Sequence, residues 1–456
     1  MNSTTAPKWC KALARRLRRL GAADKAPKTN CSVLKQIVSF IPPEIIHEVE
    51  RDVRQRYKKF PVWSHIVALI YQQLTKTESL NSLCDAARVH ESEWRELRGA
   101  SVPHRNTLSN ANRKRDPKLA ETLYWKLLEY FSRMFPDFTK TRYDGYLKRF
   151  RERHIHLLDS TTIRLVLNSI DWARHRRRKA AAKVHMNLDL GSRLPSFAIV
   201  EDAAHHDSVR AAAATANLTD GDILVADRAY TDFVYLCSLA ARGVLFVVRQ
   251  KRNMKMDVVK TIPVAKTKAD EDAEVEILKD ELVKPARKAT AEKYTADDGL
   301  IRRVTARVKV EGKMKEMIFF SNAFGWSPRT IAELYKARWG VETFFKEFKQ
   351  TCQVRDFLGY NEKAVKWQIW IGLTVHLLLR FMKFISHWTL SFSRLAGVVR
   401  CAIWVRRTVV SLLGLMGGKH GTAGARKLTN PNERPLVLQG YFDFGPPNVG
   451  QKALAS

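Results

Sequence analysis

Apolar residues recur at helical spacing from residue 31 to about 142, which predicts a wholly helical region. Phe60-Pro61 opens the run WSHIVALIYQQL, and SLNSLCDAARVHESEWRELRG follows, closed by Gly99. Ser101 and Pro103 then read as an N-cap and an early helical proline ahead of HRNTLSNANRKRD. From about residue 153 the period changes. HIHLLDSTT, IRLVLNS, KVHMNLDL and SFAIVED alternate or run apolar as strands do, and DSVRAAAATANL reads as a helix. DILVADRAY is a strand, TDFVYLCSLAARG a helix closed by Gly243, and VLFVVRQ another strand. Successive strands followed by strand–helix–strand units predict an α/β fold, a mixed sheet with helices on its faces. Residues 251 to about 325 are rich in Lys and Glu and carry short strand-like runs (EVEIL, IRRVTARVKV, KEMIFF), as a β-rich insertion would. Helices are expected from about Ser327 to Lys349 and from about Glu362 to Ile385. The pattern therefore divides the chain into a basic arm (1–30), a helical domain (31–142), the first part of the core (150–250), the insertion (251–325), completion of the core (326–390), and a C-terminal helical segment with a loose Gly-, Pro- and Asn-rich tail (391–456).

Charge narrows the function. The net charge of the 456-residue chain is +33, which implies a polyanionic partner, nucleic acid first and an anionic membrane surface second. With 45% hydrophobic residues it is no disordered basic tail. The apolar run Trp367–Leu379 has 13 residues, short of the roughly 17–25 of a spanning helix, so it predicts a buried core helix. The segment WCKALARRLRRLGAADK reads as a basic arm on a nucleic-acid binder or as a targeting segment. Six scattered cysteines form no C-x-x-C pair, which argues against a zinc ribbon or disulfide framework and for a reducing compartment.

Three regions carry candidate chemistry. In LYKARWGVETFFKEFK, taking Tyr335 as zero, Arg338, Glu342, Lys346 and Lys349 fall at about 300°, 340°, 20° and 320° on a continuous helix, and the apolar side chains occupy the adjacent arc. One carboxylate thus shares a stripe with four groups suited to phosphate oxygens; ordinary i,i+4 pairing on a solvated face is the bland alternative. Asp159 follows apolar residues on a predicted central strand, and Asp227 ends a second apolar strand, a common site position in open α/β sheets. Together Asp159, Asp227 and Glu342 suggest a phosphoryl-transfer site for divalent metal, with hard oxygen donors and room for two ions. Arg105 and Arg113, on the second of two short helices, suit a helix-turn-helix-like DNA reader, or a plain polar helix face. Arg176, Arg177 and Arg178, with Lys183 nearby, read as a phosphate grip, or as a solvated basic face. His185 either points toward the metal site or is a satisfied core histidine, the commoner case. His205-His206-Asp207 fits a helix start better than a metal cluster.

At these residues the chain resembles the D-D-E transposases of bacterial insertion sequences, specifically insertion-sequence family four. The resemblance rests on HLLDSTTIRL, on DILVADRAYTDF followed by VLFVVRQKRN, and on Tyr335, Arg338, Glu342 and Lys349, which match the family's Y-x-x-R-x-x-x-E-x-x-x-x-x-x-K signature. KVHMNLDLGSRLPSFAIVED, TIAELYKARWGVETFFKEFKQ and NEKAVKWQIWI agree, so it covers roughly residues 31–385. It implies a ribonuclease-H-like core with a β-rich insertion between the second Asp and the Glu, and 115 residues separate Asp227 from Glu342. It implies Asp159, Asp227 and Glu342 as ligands of two Mg2+ ions, with Mn2+ an acceptable substitute. It implies that Tyr335, Arg338, Lys346 and Lys349 contact the DNA end. It further implies cut-and-paste transposition through a hairpin, by a homodimer on paired terminal inverted repeats and then target DNA, in the bacterial cytoplasm at the nucleoid and without a membrane role. Trp326 and Trp339 are candidates to stack on an extruded base; packing would account for them equally well. The rivals are a non-catalytic DNA-binding protein derived from a transposase, and a simpler metal nuclease such as a junction resolvase. All three carboxylates being present counts against the first, and the long insertion against the second.

Overall fold

The computed structural model describes residues 26–51, 57, 59–165, 180–202, 207–264, 274–310, 312–354 and 357–417. The basic arm up to residue 25, the Arg176–Arg177–Arg178 cluster, His205, His206 and the tail from 418 lie outside them. The chain divides into two compact units, one of Met1–Met134 with Glu347–Ser456, the other of Phe135–Lys346.

The first unit is helical. Its axis is the helix Glu362–Ile385, started by Asn361, whose side chain accepts the Ala364 N–H. This helix is apolar on every face because neighbours surround it: Val62–Thr75 and Lys118–Met134 pack along it. It is long and apolar enough to cross a membrane, but 78% of its most apolar window is buried inside the unit, as expected of a core helix. Phe381 stacks on Phe131 with centroids 4.2 Å apart and meets Phe40 edge-on at 5.4 Å. His65 is fully buried beside Trp367, its Nε2 2.8 Å from Asn112 Oδ1, and burial pushes its pKa down to about 3, so it is neutral at pH 7. Ser101 is not the N-cap expected of it. The helix Arg105–Lys114 starts after His104, and the Ser101 N–H donates instead to Ser64 Oγ at 2.9 Å.

The second unit is built on one nine-stranded mixed sheet, with order β3-β2-β1-β4-β5-β9-β8-β7-β6. Here β1 is Ile155–Leu165, β2 Ala180–Asp189, β3 Leu194–Asp202, β4 Ile223–Ala226, β5 Leu245–Arg249, β6 Met256–Ile262, β7 Val275–Pro285, β8 Ile301–Val310 and β9 Lys313–Ser321. Strands β1 to β3 form an antiparallel meander, β4 and β5 join β1 in parallel, and the order 3-2-1-4-5 agrees with the ribonuclease-H-like core that the resemblance implies. The insertion does not form a separate layer. Its strands β6 to β9 continue the same sheet, with β9 antiparallel to β5.

Alternation along β1 and β4 fixes the two faces. Leu158, Leu224, Ala226, Phe246 and Val248 face a core formed with the helices Asp207–Ala214 and Phe233–Ala240. Leu157 and Val225, one step away, point to the opposite face. There the backbone at Gly340 lies so close that a Cβ would sit 2.9 Å from Leu190 Cδ1 and 3.0 Å from Leu157 Cδ1, so any larger residue would push the two leucines aside.

Truncating Phe381 to Ala is expected to cost about 3–5 kcal/mol, whereas Phe324→Ala, at an exposed position, is expected to change stability by about 0.5 kcal/mol or less. Urea denaturation of the two variants checks this.

Candidate active site

The same alternation that buries Leu157 and Val225 carries Asp159 and Asp227 onto their face of the sheet, since each lies two residues further on. Strands β1 and β4 are paired in parallel with Leu158 opposite Ala226, so the two carboxylates stand side by side in the middle of the sheet, where β4 ends. The third acid comes from the helices that cover this face. They are two, not the single one expected: Pro328–Ala337 and Trp339–Thr351, with a turn at Arg338 between them. Ser327 caps the first, accepting the Thr330 N–H. The break matters because Tyr335 and Glu342 then belong to different helices.

Two side chains knit the acids together. The Tyr335 hydroxyl donates to Asp227 Oδ1 at 3.0 Å. Arg338 donates from Nη1 to Asp159 Oδ2 at 3.1 Å and from Nη2 to Glu342 Oε1 at 2.6 Å. Tyr335 is buried, its ring packed on Phe319 at 4.6 Å, and burial with the nearby Asp227 charge raises its pKa, so it keeps its proton. Burial likewise pushes the Asp159 carboxyl up to about 6. Arg338 and the Ser160 N–H favour the anion, while Asp227 and Glu342 oppose it. Arg338 Nε is buried with no hydrogen-bond partner.

Asp159, Asp227, Glu342, Tyr335 and Arg338 are therefore brought together. Lys346 is exposed on the helix of Glu342, at the end of this unit. Lys349 continues that helix but falls, like the exposed Arg105 and Arg113, in the first unit, where Arg113 donates to Asn110 at 2.9 Å. His185 turns away: it pairs across the strands with Ser160, on the face opposite Asp159, and lies 3.1 Å from Glu201 Oε1. Trp326 packs edge-on against Phe150 at 5.2 Å, and Trp339 lies half-buried beside the Arg338 guanidinium.

Arg302 and Asp280, which sequence reasoning passed over, form a fully buried two-pronged pair (2.9 and 2.7 Å) between β8 and β7. Arg302 Nη1 also donates to the carbonyls of Ala323, Phe324 and Trp326. The insertion thereby anchors the loop that feeds the Tyr335 helix. An Asp in one short strand and an Arg opening the next is the only trace of this in the sequence.

The donor set at the site is three carboxylates, hard oxygen ligands that suit Mg2+ or Mn2+. Among the described residues no three His, Cys, Asp or Glu side chains stand arranged to hold a metal as they are, because Arg338 sits between Asp159 and Glu342.

This arrangement defines a class, α/β proteins that gather three carboxylates over one face of a mixed sheet. Residues 151–378, half of the chain, match the family described as Transposase DDE domain, and the chain belongs to it. It is an insertion-sequence transposase, a nuclease and strand transferase whose partner is DNA. Transposases of this family are in general divalent-metal dependent, soluble and cytoplasmic. Residues 29–97 match a Domain of unknown function (DUF4372). A Sinorhizobium fredii protein named as a transposase (y4zB) is 26% identical over 59% of this chain and 72% of its own. A Geobacillus stearothermophilus protein named as a transposase for insertion sequence element IS5377 is 26% identical over 50% of this chain and 56% of its own. The solved piggyBac transposase synaptic complex with hairpin DNA superposes with a TM-score of 0.40 at 10% identity, covering 92% of this chain and 86% of that one, too distant a likeness to carry weight.

A carboxyl whose folded pKa lies above its unfolded value opposes folding at neutral pH, and the cost is relieved as the pH falls through about 6 toward 4. Asp159→Asn should therefore stabilise the metal-free protein by about 1–3 kcal/mol at pH 8, with no gain left at pH 4. Urea denaturation in EDTA at the two pH values measures it.

Proposed function

We propose that this transposase is of the family-four kind and moves its element by cut-and-paste, with Asp159, Asp227 and Glu342 as its catalytic acids. The observation that carries this reading is the meeting of the three carboxylates on one face, tied by Tyr335 and Arg338. The three acids would hold two Mg2+ ions, which supply the charge that activates an attacking oxygen and stabilises the leaving one in an in-line displacement.

The protein's own groups do the positioning. Arg338 keeps Asp159 and Glu342 close despite their mutual repulsion. Its buried Nε–H lacks an acceptor, and a phosphate oxygen of the DNA end would satisfy it. Tyr335 holds Asp227 by donating its proton, and Lys346 and Lys349 offer cations to the same DNA end. Water cuts one strand at the end of the element, the freed 3′-hydroxyl attacks the opposite strand to close a hairpin, water reopens the hairpin and so restores a 3′-hydroxyl, and that hydroxyl attacks target DNA. A homodimer holds the paired inverted repeats, on nucleoid DNA. Residues 31–142 bind those ends, with Arg105 and Arg113 on the reading helix, and the helices Phe392–Cys401 and Val409–Gly417 close the helical part. Arg176, Arg177 and Arg178 grip phosphates.

A labelled duplex carrying the terminal repeat should be nicked at the repeat boundary in Mg2+ and not in EDTA. Glu342→Ala should lower that rate by about a thousandfold or more while binding persists. Tight binding by the native protein with no cleavage in Mg2+ or Mn2+ would sink the catalytic reading in favour of a DNA-binding derivative.

A further inference from the structure

A second concavity opens in the Phe135–Lys346 unit, where β5 hands over to the insertion. It is a cleft of about 230 Å³, lined among others by Thr231, Lys251, Lys255, Arg287, Thr290 and Lys293. It lies past the C-terminal ends of the parallel strands β4 and β5, the end at which Asp227 stands, and Thr231 follows Asp227 by four residues. The loop that bears the lysines is fixed. Gln250 Nε2 donates to the Met254 carbonyl at 2.9 Å, the Met254 N–H to that of Lys251 at 3.1 Å, and the Ala286 N–H to that of Lys255 at 3.1 Å.

The charges here differ in kind from those elsewhere on the insertion. Arg302, Arg303 and Arg307 are paired with Asp280, Glu281 and Glu276. Among the described residues, Lys251, Lys255, Arg287 and Lys293 have no carboxylate partner. The one acid lining the cleft, Asp232, accepts the backbone N–H groups of Val234 and Tyr235. Solvated lysines spread out to avoid one another. Four unneutralised cations converging on one concavity with hydroxyl donors form a ready receptor for phosphate oxygens.

We propose that this cleft binds the sugar-phosphate backbone of double-stranded DNA beside the cutting site, without reading its sequence. This rests on the transposase reading above. Each phosphate contact releases condensed counterions, so its loss flattens the salt dependence of binding by about one unit of slope. The triple variant Lys255→Gln, Arg287→Gln, Lys293→Gln should lose about three units and bind at least about tenfold more weakly in 0.1 M salt, equally for the repeat duplex and a scrambled duplex. Lys293→Gln alone, at an exposed side chain, should lose about one unit, which keeps the test open if the triple variant folds poorly. The charge-retaining Lys255→Arg, Arg287→Lys, Lys293→Arg should keep the slope. So should the charge-matched control Arg151→Gln, Arg307→Gln, Arg406→Gln, whose cations are exposed and already paired. A triple variant that matches this control in slope and affinity overturns the proposal. If the native protein still cuts the repeat, the function stands without the cleft. If the native protein never cuts but the triple variant loses slope, the cleft stands and the transposase reading falls.

Discussion

Three acids on one face of a sheet repel one another, and the rest of the site depends on how that repulsion is held. Arg338 is the answer, one guanidinium donating to Asp159 and Glu342 at once. Its planar fork reaches two carboxylates in a way that a lysine ammonium could not. Tyr335 meets the third acid with a neutral donor, so Asp227 gains a hydrogen bond without a second buried cation. Asp159 still lies uneasily, its carboxyl raised by burial. A site that costs folding energy in its resting form is one whose function asks for charge that stability alone would not select.

The scaffold bears on this through close approach. Gly340 lets the helix carrying Glu342 lie against Leu157 and Leu190, and Leu157 is two residues from Asp159. From the other side, the buried Arg302–Asp280 pair holds the loop before Ser327 and so sets where the Tyr335 helix begins. The insertion is thus more than an appended DNA-facing module. Its strands extend the core sheet, and its buried arginine steadies a helix of the site.

The long helix Glu362–Ile385 shows the limits of composition. By length and hydropathy alone it passes for a membrane span; neighbours on every side make it the axis of a helical unit. The two charges that bound its apolar run, Lys366 and Arg380, are both half-buried and ion-paired, with Glu362 and Glu347.

Much of this protein was legible in its sequence. Alternating or continuous apolar runs marked β1 to β5, period-3.6 runs marked the helical region, and the signature spacing picked out Tyr335, Arg338 and Glu342, because local periodicity and motif spacing are written in consecutive residues. The structure alone decided what depends on distant partners. The helix broke at Arg338 where one continuous stripe had been expected, the hydrogen bonds there tightening to Arg338 N–H on the Tyr335 carbonyl and Val341 N–H on the Arg338 carbonyl. His185 faced away from the acids because strand register, which no local pattern states, put it opposite Ser160. The Arg302–Asp280 pair joins residues 22 apart in sequence, and the basic cleft gathers side chains from residues 231 to 293; both exist only once the strands are paired.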